Sequence, residues 1–595
     1  MCGIFGIIDK TNDINRNELQ TAIDIVRHRG PDDEGFYISN NIGFAHKRLA
    51  IFDLSENAAQ PMYFKDLVIV FNGAIYNFVE LKKELEGFGY KFKTRSDTEV
   101  ILAAYDKWGQ DCVHRFNGMW AFAIYDIKRN KVFASRDRFG IKPLYFTEIN
   151  SKFCFASEIK QFTVVDGWQP QMNKNVVLEF LINNYVDFNE ETFFKDVFKL
   201  KKGHNLIYDL KQNAYEIYEY YNLENIKIKP AEDFEKEKEE FKHLLIDSIR
   251  LRYRADVEVG ATLSGGLDST SIVSVLSKIL DVKPQTISSY FKDKGYDEEY
   301  WIDVVINKFS LNAHKISPDL NKVFEEFDNM IWHYDEPFQR ISNYTQFKVF
   351  EVAKQYNLKV MLSGQGADEI LCGYEKFYYR FILKLIKNYP VKALIDMFHF
   401  FVKHSISPLK AAGILIKAFS KNKIDKSPPK WLNNKFISQN YQPFKRSHES
   451  TIRDISINFI YEVGISTLLH SEDRNSMAFS IESRLPFLDY RLVEKALSMP
   501  DDYKIKKGIR KYILRESLKG ILPPEVYKRY DKLGFPTPQK QWYEKNKDRI
   551  FSELNNNFKY IENIVNRNIF EIDDDKIIWR VLTLARWIKL FKVKI

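Results

Sequence analysis

The feature that most constrains the fold is a change of rhythm part-way along the chain. Up to about residue 221, short apolar runs at 4–8, 42–45, 67–71, 120–125, 131–134 and 153–156 are separated by turn residues and read as strands. Only 17–28 and 97–108 space their apolar residues as a helix does. Many strands with few helices imply layered sheets covered by helices, an α+β unit. Between 222 and 240, lysine and glutamate displace the aromatics in IKIKPAEDFEKEKEE, which predicts a linker running into an exposed helix start. Beyond it, strands alternate with helices: 257–263 with 270–280, 285–291 with 298–309, and 359–362 with a helix from 368 onward. That alternation predicts an α/β unit with a doubly wound parallel sheet, which binds ligands at the carboxyl ends of its strands. The expected units are 2–221, a linker at 222–240, and 241–595.

A chain of 595 residues exceeds what one core supports, as such a division requires. Lys and Arg number 89 against 80 Asp and Glu, and a net +9 over this length is weak evidence for nucleic acid. The aromatic residues come with no RNA-binding signature, so no nucleic-acid partner is expected. Cys2, Cys112, Cys154 and Cys372 lack CxxC spacing, which argues against a disulfide framework and a zinc site. No basic-then-apolar leader precedes the first strand, so the cytoplasm is expected. No apolar run is long enough to span a bilayer, so no transmembrane segment is expected, and the lysine-bearing apolar stretch at 381–430 is predicted as a helical insert packed on the second unit.

Cys2 follows the initiator methionine. Removal of Met1 would leave a thiol and a free α-amine on one residue, a nucleophile with its own base, since the amine titrates near the thiol. In the second unit, Ser264-Gly265-Gly266-Leu267-Asp268-Ser269-Thr270 stands where a predicted strand meets a helix. Its glycines admit close approach of an anion, its hydroxyls donate, and the helix amino terminus adds positive charge, so it suits phosphate. It is not a Walker loop. The aspartate in it points to Mg²⁺ held against pyrophosphate oxygens. Ser363-Gly364-Gln365-Gly366-Ala367-Asp368-Glu369 repeats the pattern after the strand at 359–362, so Asp268 and Asp368 are the predicted metal ligands of one ATP site.

SGGLDST with SGQGADE resembles the ATP-pyrophosphatase group. CGIFG at the amino terminus, RHRGPD (27–32), Asn72-Gly73 before Ile75-Tyr76-Asn77, and SRDRFGIKPLY (135–145) resemble class II glutamine amidotransferases. Together with HSEDRNSMAFSIESRLPFLD (470–489) and GIRKYILRE (508–516), they resemble glutamine-hydrolysing asparagine synthetases over nearly the whole chain. The resemblance implies an N-terminal-nucleophile fold, an αββα sandwich, followed by the ATP-pyrophosphatase domain. It implies that Cys2 attacks the glutamine side-chain amide and that the Asn72 side chain and Gly73 N–H form the oxyanion hole. Arg48, with backbone around Ile51, would bind the α-carboxylate of glutamine, and Asp97 its α-ammonium. On the residues alone, Asn-Gly also reads as a hairpin turn, Arg48 as a surface arginine and Asp97 as a helix-capping residue.

For the second unit it implies that Ser264, Gly265, Gly266, Asp268 and Ser269 bind pyrophosphate and Mg²⁺, and that Leu263, Ser289, Ser363 and Gly364 line the adenosine. Lys511 would sit by the adenylation centre, with Asp473 and Arg474 nearby, and Gln365 and Asp368 would meet the acceptor. The implied reaction is ATP-dependent amidation of aspartate through an acyl-adenylate, with ammonia passed internally from glutamine, by a homodimer. Two positions depart from the family pattern. Ala74 stands where glutamate usually follows Asn-Gly, removing one carboxylate contact to glutamine, and Gln365 stands where better-known members carry glutamate. Gln365 leaves open another carboxylate acceptor, such as a sugar acid of a surface polysaccharide. A non-catalytic glutamine- or nucleotide-binding protein is the reading from a different class.

Overall fold

In the strand Gly3–Asp9, Ile4 and Ile8 point to one side and Phe5 and Ile7 to the other, and all four are buried. A strand apolar on both faces belongs inside a stack of layers. In the computed structural model, which describes residues 2–230, 233–293, 295–404, 428–530 and 537–595, it lies within a six-stranded antiparallel sheet. The order is Val197–Lys199, Tyr145–Ile149, Lys152–Ala156, Gly3–Asp9, Ile42–Arg48, Asp33–Ser39. A second six-stranded antiparallel sheet runs Ala214–Glu219, His204–Asp209, Lys131–Arg136, Gly118–Asp126, Leu67–Ile75, Met62–Phe64.

Alternation along each strand sorts the side chains into layers. Ile4, Ile8, Val68, Val70, Ala121 and Ala123 pack between the sheets. Ile69, Phe71, Trp120 and Phe122 pack with residues of the helices Phe78–Gly87 and Asp97–Trp108, and Phe5 and Ile7 with those of Arg16–Asp24 and Lys174–Asn183. This is the αββα sandwich. The helix expected at 97–108 is capped by Ser96 Oγ, which accepts from Thr98 N–H, and stops at Gly109. That expected at 17–28 ends earlier, at Asp24, and a short 3₁₀ turn follows at Arg27–Arg29. Edge strands such as Ala214–Glu219, exposed along most of its length, carried no apolar run to betray them.

The second unit holds five parallel strands in the order Ala313–Ile316, Thr286–Ser289, Val259–Thr262, Val360–Leu362, Glu482–Arg484. In chain order this is 3-2-1-4-5, so the sheet is doubly wound and its order reverses between Val259–Thr262 and Val360–Leu362. Ligands bind at that switch point. The helix expected from 368 onward is a single turn, Ala367–Ile370, and Cys372 then turns left-handed (φ 60°) before Glu375–Asn388 begins. Of the insert expected at 381–430, residues 405–427 lie outside the described residues. Glu375–Asn388 and Pro390–Lys403 pack Phe377, Phe381 and Phe400 with Ile452, Ile455 and Ile505. Among the described residues no helix is long and apolar enough to cross a membrane.

The two units share one apolar core, in which Leu49, Tyr76, Met119 and Ile141 of the sandwich pack with Leu263, Leu362 and Leu485. A buried ionic network crosses the same interface. Arg29 Nη1 donates to Asp473 Oδ2 and to Glu158 Oε1, both at 2.8 Å, while Arg474 reaches Glu158 and Asp335 at 3.0 Å each. Burial alone would raise the Asp473 pKa; Arg29 and Lys142 overcome it and bring it to about 2. A carboxylate held below its ordinary value near 3.9 stabilises the fold above that value, and the contribution fades as the pH falls towards 2. D473N should therefore cost about 3–5 kcal/mol at neutral pH and flatten the stability profile between about pH 4 and pH 2, followed by denaturant unfolding; parallel profiles would show that this carboxylate does not titrate there.

Candidate functional site

The alternation that builds the sandwich also builds its active end. Cys2 is buried immediately before the strand Gly3–Asp9, and Asn72 lies on the face of its strand that carries Val68 and Val70, which look inward. Cys2 N–H donates to Asn72 Oδ1 at 3.1 Å. The Asn72 Nδ2 group is buried with no acceptor, a donor with geometry to spare for an oxyanion. Asn72 and Gly73 are not a hairpin turn. They lie within the strand Leu67–Ile75, paired with Ala121 and Trp120. Only glycine fits at 73, because a Cβ there would stand 2.1 Å from the Met119 carbonyl oxygen.

Cys2, Arg48, Ile51, Gly73 and Asp97 line one pocket. Arg48 is buried, not a surface residue, and its Nη1 donates to the Ser55 carbonyl at 2.9 Å. Ser96 caps the helix that follows, which leaves Asp97 for the pocket. Its Oδ2 accepts from Ile75 N–H at 2.9 Å. Burial is the main cause that pushes the Asp97 pKa up to about 7. Burial also raises the Cys2 thiol, opposed by the amino-terminal charge, the backbone at Leu49 and Arg48.

At the switch point, Leu263 and Ser289 stand at adjacent strand ends, and the loop from Ser264 turns into the helix Leu267–Lys278. Ser264 N–H donates to Ser269 Oγ at 3.2 Å, and Gly265 is left-handed (φ 68°) and so close to Trp301 that a Cβ would meet its backbone at 2.7 Å. Gly364 lies against Asp268, so the two phosphate-type loops touch. Ser363 N–H donates to Arg484 O at 2.9 Å, and Gln365 is half-buried beside it. Lys511 Nζ sits between the two aspartates, 2.6 and 2.7 Å from the Asp268 oxygens and 2.6 Å from Asp368 Oδ1. Two carboxylates converging on one cation are the hard-oxygen donor set that suits Mg²⁺. Lys511 holds this place in a left-handed conformation (φ 53°) that a residue with a side chain rarely adopts. Gly373 admits the cluster, since a Cβ there would stand 1.7 Å from Asp368 Oδ1.

Several site residues escaped the sequence reading. Glu482, on the last strand of the parallel sheet, lines the Cys2 pocket. Arg29 Nε donates to the Cys2 carbonyl at 3.1 Å and fixes the backbone there. Arg510, Arg515 and Arg529 join Lys511 and Gly266 around a cationic recess beside the Ser264 loop. Glu369 accepts from Tyr374 OH at 2.6 Å and is pushed up to about 7, first by burial and then by Asp368. SIESR and GIRKYILRE flagged the segments, but not which side chains turn inward.

The glutamine amidotransferase domain family matches residues 1–221, and the asparagine synthase family residues 240–589. The chain is 32% identical to asparagine synthetase [glutamine-hydrolyzing] 1 of Bacillus subtilis over 91% of this chain and 88% of that one. It belongs to the glutamine-hydrolysing asparagine synthetase family. It is also 40% identical to putative asparagine synthetase [glutamine-hydrolyzing] 2 of Methanocaldococcus jannaschii, over 66% of this chain and 79% of that one. Amidase chry2 of Gibberella zeae is 26% identical over 88% and 85%. The chain is thus a glutamine-hydrolysing, ATP-using ligase. G73A is expected to lower glutaminase kcat by at least about 100-fold, since the added methyl must displace the Met119 carbonyl or the strand that carries Asn72; glutamate release in the absence of acceptor measures it.

Proposed function

We propose that this ligase converts aspartate to asparagine through a β-aspartyl adenylate, releasing AMP and pyrophosphate. The observation that carries the reading is the Asp268–Lys511–Asp368 cluster at the sheet's switch point, in one body with a cysteine pocket built for an amide. The α-amine of Cys2 takes the thiol proton, and the thiolate attacks the glutamine amide carbon. Asn72 Nδ2 and Gly73 N–H receive the oxyanion; collapse returns the amine's proton to the departing ammonia and leaves a γ-glutamyl thioester, and water later hydrolyses that thioester to glutamate and the free Cys2 thiol. Arg48 binds the glutamine α-carboxylate.

Ammonia then crosses internally from one unit to the other, past a boundary where Met119 and Ile141 pack with Leu263 and Leu362 and bulk water is excluded. Sequestration matters because free ammonia at neutral pH is protonated and no longer a nucleophile. In the second unit the Ser264–Ser269 loop and the helix amino terminus cradle the phosphates. Leu263, Ser289, Ser363 and Gly364 line the adenosine. Asp268 and Asp368 would hold Mg²⁺, which when bound neutralises phosphate charge. Lys511 offsets charge developing as pyrophosphate leaves. Gln365 and Asp368 face the acceptor. The neutral amide of Gln365 favours one competing reading, a different carboxylate acceptor such as a uronic acid.

Pyrophosphate release by the full chain with ATP, Mg²⁺ and glutamine, assayed with aspartate and with a panel of uronic acids, separates the two. Aspartate-dependent release is expected, and its absence would sink the asparagine reading. C2A should lose glutamine-dependent synthesis yet keep synthesis from added ammonium. K511M should behave in the opposite sense, losing pyrophosphate release by about 1,000-fold or more while still hydrolysing glutamine; loss of both activities in either variant would show the roles to be misassigned.

A further inference from the structure

The helix Pro390–Lys403 is apolar on two sides, and only one of them is covered. Ala393 and Phe400 face inward. Phe400 stacks on Tyr378 with ring centroids 3.9 Å apart, and it lies so close to the turn at Gly508 that a Cβ there would stand 2.4 Å from Phe400 Cα. Val391, Leu394, Ile395, Phe398 and Val402 face outward; Ile395 is 53% exposed and the other four are 61–69% exposed. We propose that this outer face is a docking surface for an anionic phospholipid bilayer, on which the enzyme rests as a peripheral protein. The inference is independent of the acceptor and of the roles assigned to Cys2 and Lys511.

The five positions follow one another at i, i+3, i+4, i+7 and i+11, the spacing that gathers side chains into one stripe along a helix. A helix on the surface of a globular domain buries one such stripe and offers polar groups to water. This one buries a stripe and exposes a second. A contiguous exposed apolar patch of that kind marks a contact with something else. The helix itself is firmly seated. Asp396 Oδ2 accepts from Lys507 N–H at 2.7 Å and its Oδ1 from Gly508 N–H at 2.8 Å, while Lys403 Nζ donates to the Lys507 carbonyl at 3.0 Å. That turn leads directly into Arg510 and Lys511, so the surface belongs to the synthetase unit.

Charge selects the partner. Read from the sequence, residues 376–430 carry twelve Lys and Arg against two Asp, whereas the whole chain, with 89 against 80, is only +9, so its excess positive charge lies in this stretch. Part of that charge ties the helices to the body, Lys384 to Asp501 and Lys392 to Asp502. Asp396, the one acidic residue of Pro390–Lys403, is turned inward to the Lys507 and Gly508 amides. An apolar stripe without a carboxylate, set in a basic stretch, suits acyl chains beneath anionic headgroups. A second copy of the same face would bring like charges together. Tyr389, exposed at the corner before the helix, has the amphipathic ring that favours headgroup level. At about 1.5 Å per residue, the helix of 14 residues is about 21 Å long, short of the roughly 30 Å hydrocarbon core. It would therefore lie in the interface and not span it.

The test is co-flotation of the full-length protein with vesicles of phosphatidylcholine alone and of phosphatidylcholine mixed with phosphatidylglycerol, at low and high salt. Wild type is expected to bind the phosphatidylglycerol vesicles at least about 10-fold more tightly than the neutral ones, and high salt should narrow that difference. L394D/F398D should weaken the binding by at least about 30-fold, with glutaminase activity unchanged and the thermal unfolding midpoint within about 5 °C of wild type. Absence of binding to phosphatidylglycerol vesicles, equal binding to both lipids, or a double variant that binds as wild type does would overturn the proposal. A larger fall in the midpoint would show the face to be covered by the chain itself, and a smaller hydrodynamic size of the variant without lipid would assign it to a second copy; either result overturns it too. Failure of the aspartate reading would appear in the pyrophosphate assay and leave this comparison untouched.

Discussion

One buried guanidinium holds this molecule in its working arrangement. Arg29, fully buried, donates through Nε to the carbonyl of Cys2 and through its two terminal nitrogens to Asp473 and Glu158. Ions taken out of water are costly, and the cost is met only when every charge finds a partner in good geometry. Here the partners come from both units. Glu158 and Lys160 follow the sandwich strand Lys152–Ala156, Asp335 follows the helix Val323–Tyr334, and Asp473 and Arg474 lie on the helix Ile465–Met477. A slip of one unit against the other would strand several charges in a dry interface, so the network fixes one docking geometry. It fixes the backbone at Cys2 in the same stroke.

The shared apolar core makes that geometry stable, and the ionic network makes it specific. Hydrophobic burial is non-directional and would tolerate small shifts. Hydrogen-bonded ions tolerate few, as the paired contacts of Arg474 with Tyr145, Glu158 and Asp335 illustrate. The benefit is functional. In the proposed reaction, ammonia released at Cys2 would have to reach the acyl centre without meeting bulk water, which a single, dry registration of the two units would allow.

The proposed ATP site depends on a different constraint, the reversal of strand order between Val259–Thr262 and Val360–Leu362. It opens a crevice into which two loops converge, close enough that Gly364 touches Asp268. Two carboxylates so close repel each other, and the Lys511 ammonium between them offsets the repulsion. The left-handed backbone of Lys511 and the bare glycine at 373 are the local compromises that let the ammonium reach its place.

The sequence by itself determined the local elements and the chemistry they carry. Short apolar runs between turn residues placed the core strands near 4–8, 67–71 and 120–125, alternation of strand and helix placed the parallel sheet, and the composition of the two phosphate-type loops named Asp268 and Asp368. Its first residues singled out Cys2, and the family resemblance added Arg48 and Asp97. Tertiary structure alone decided the rest. Asn72-Gly73, the strongest of local turn signals, became mid-strand because Gly118–Asp126 pairs along its whole length. The exposed strand Ala214–Glu219 formed because a neighbour offered it a ladder, not because its residues sought burial. Glu482 entered a pocket whose other residues lie hundreds of positions away. Periodicity records which face of an element is apolar, whereas a contact between two units leaves no periodic trace, and so the composite pocket around Cys2 exists only in the fold.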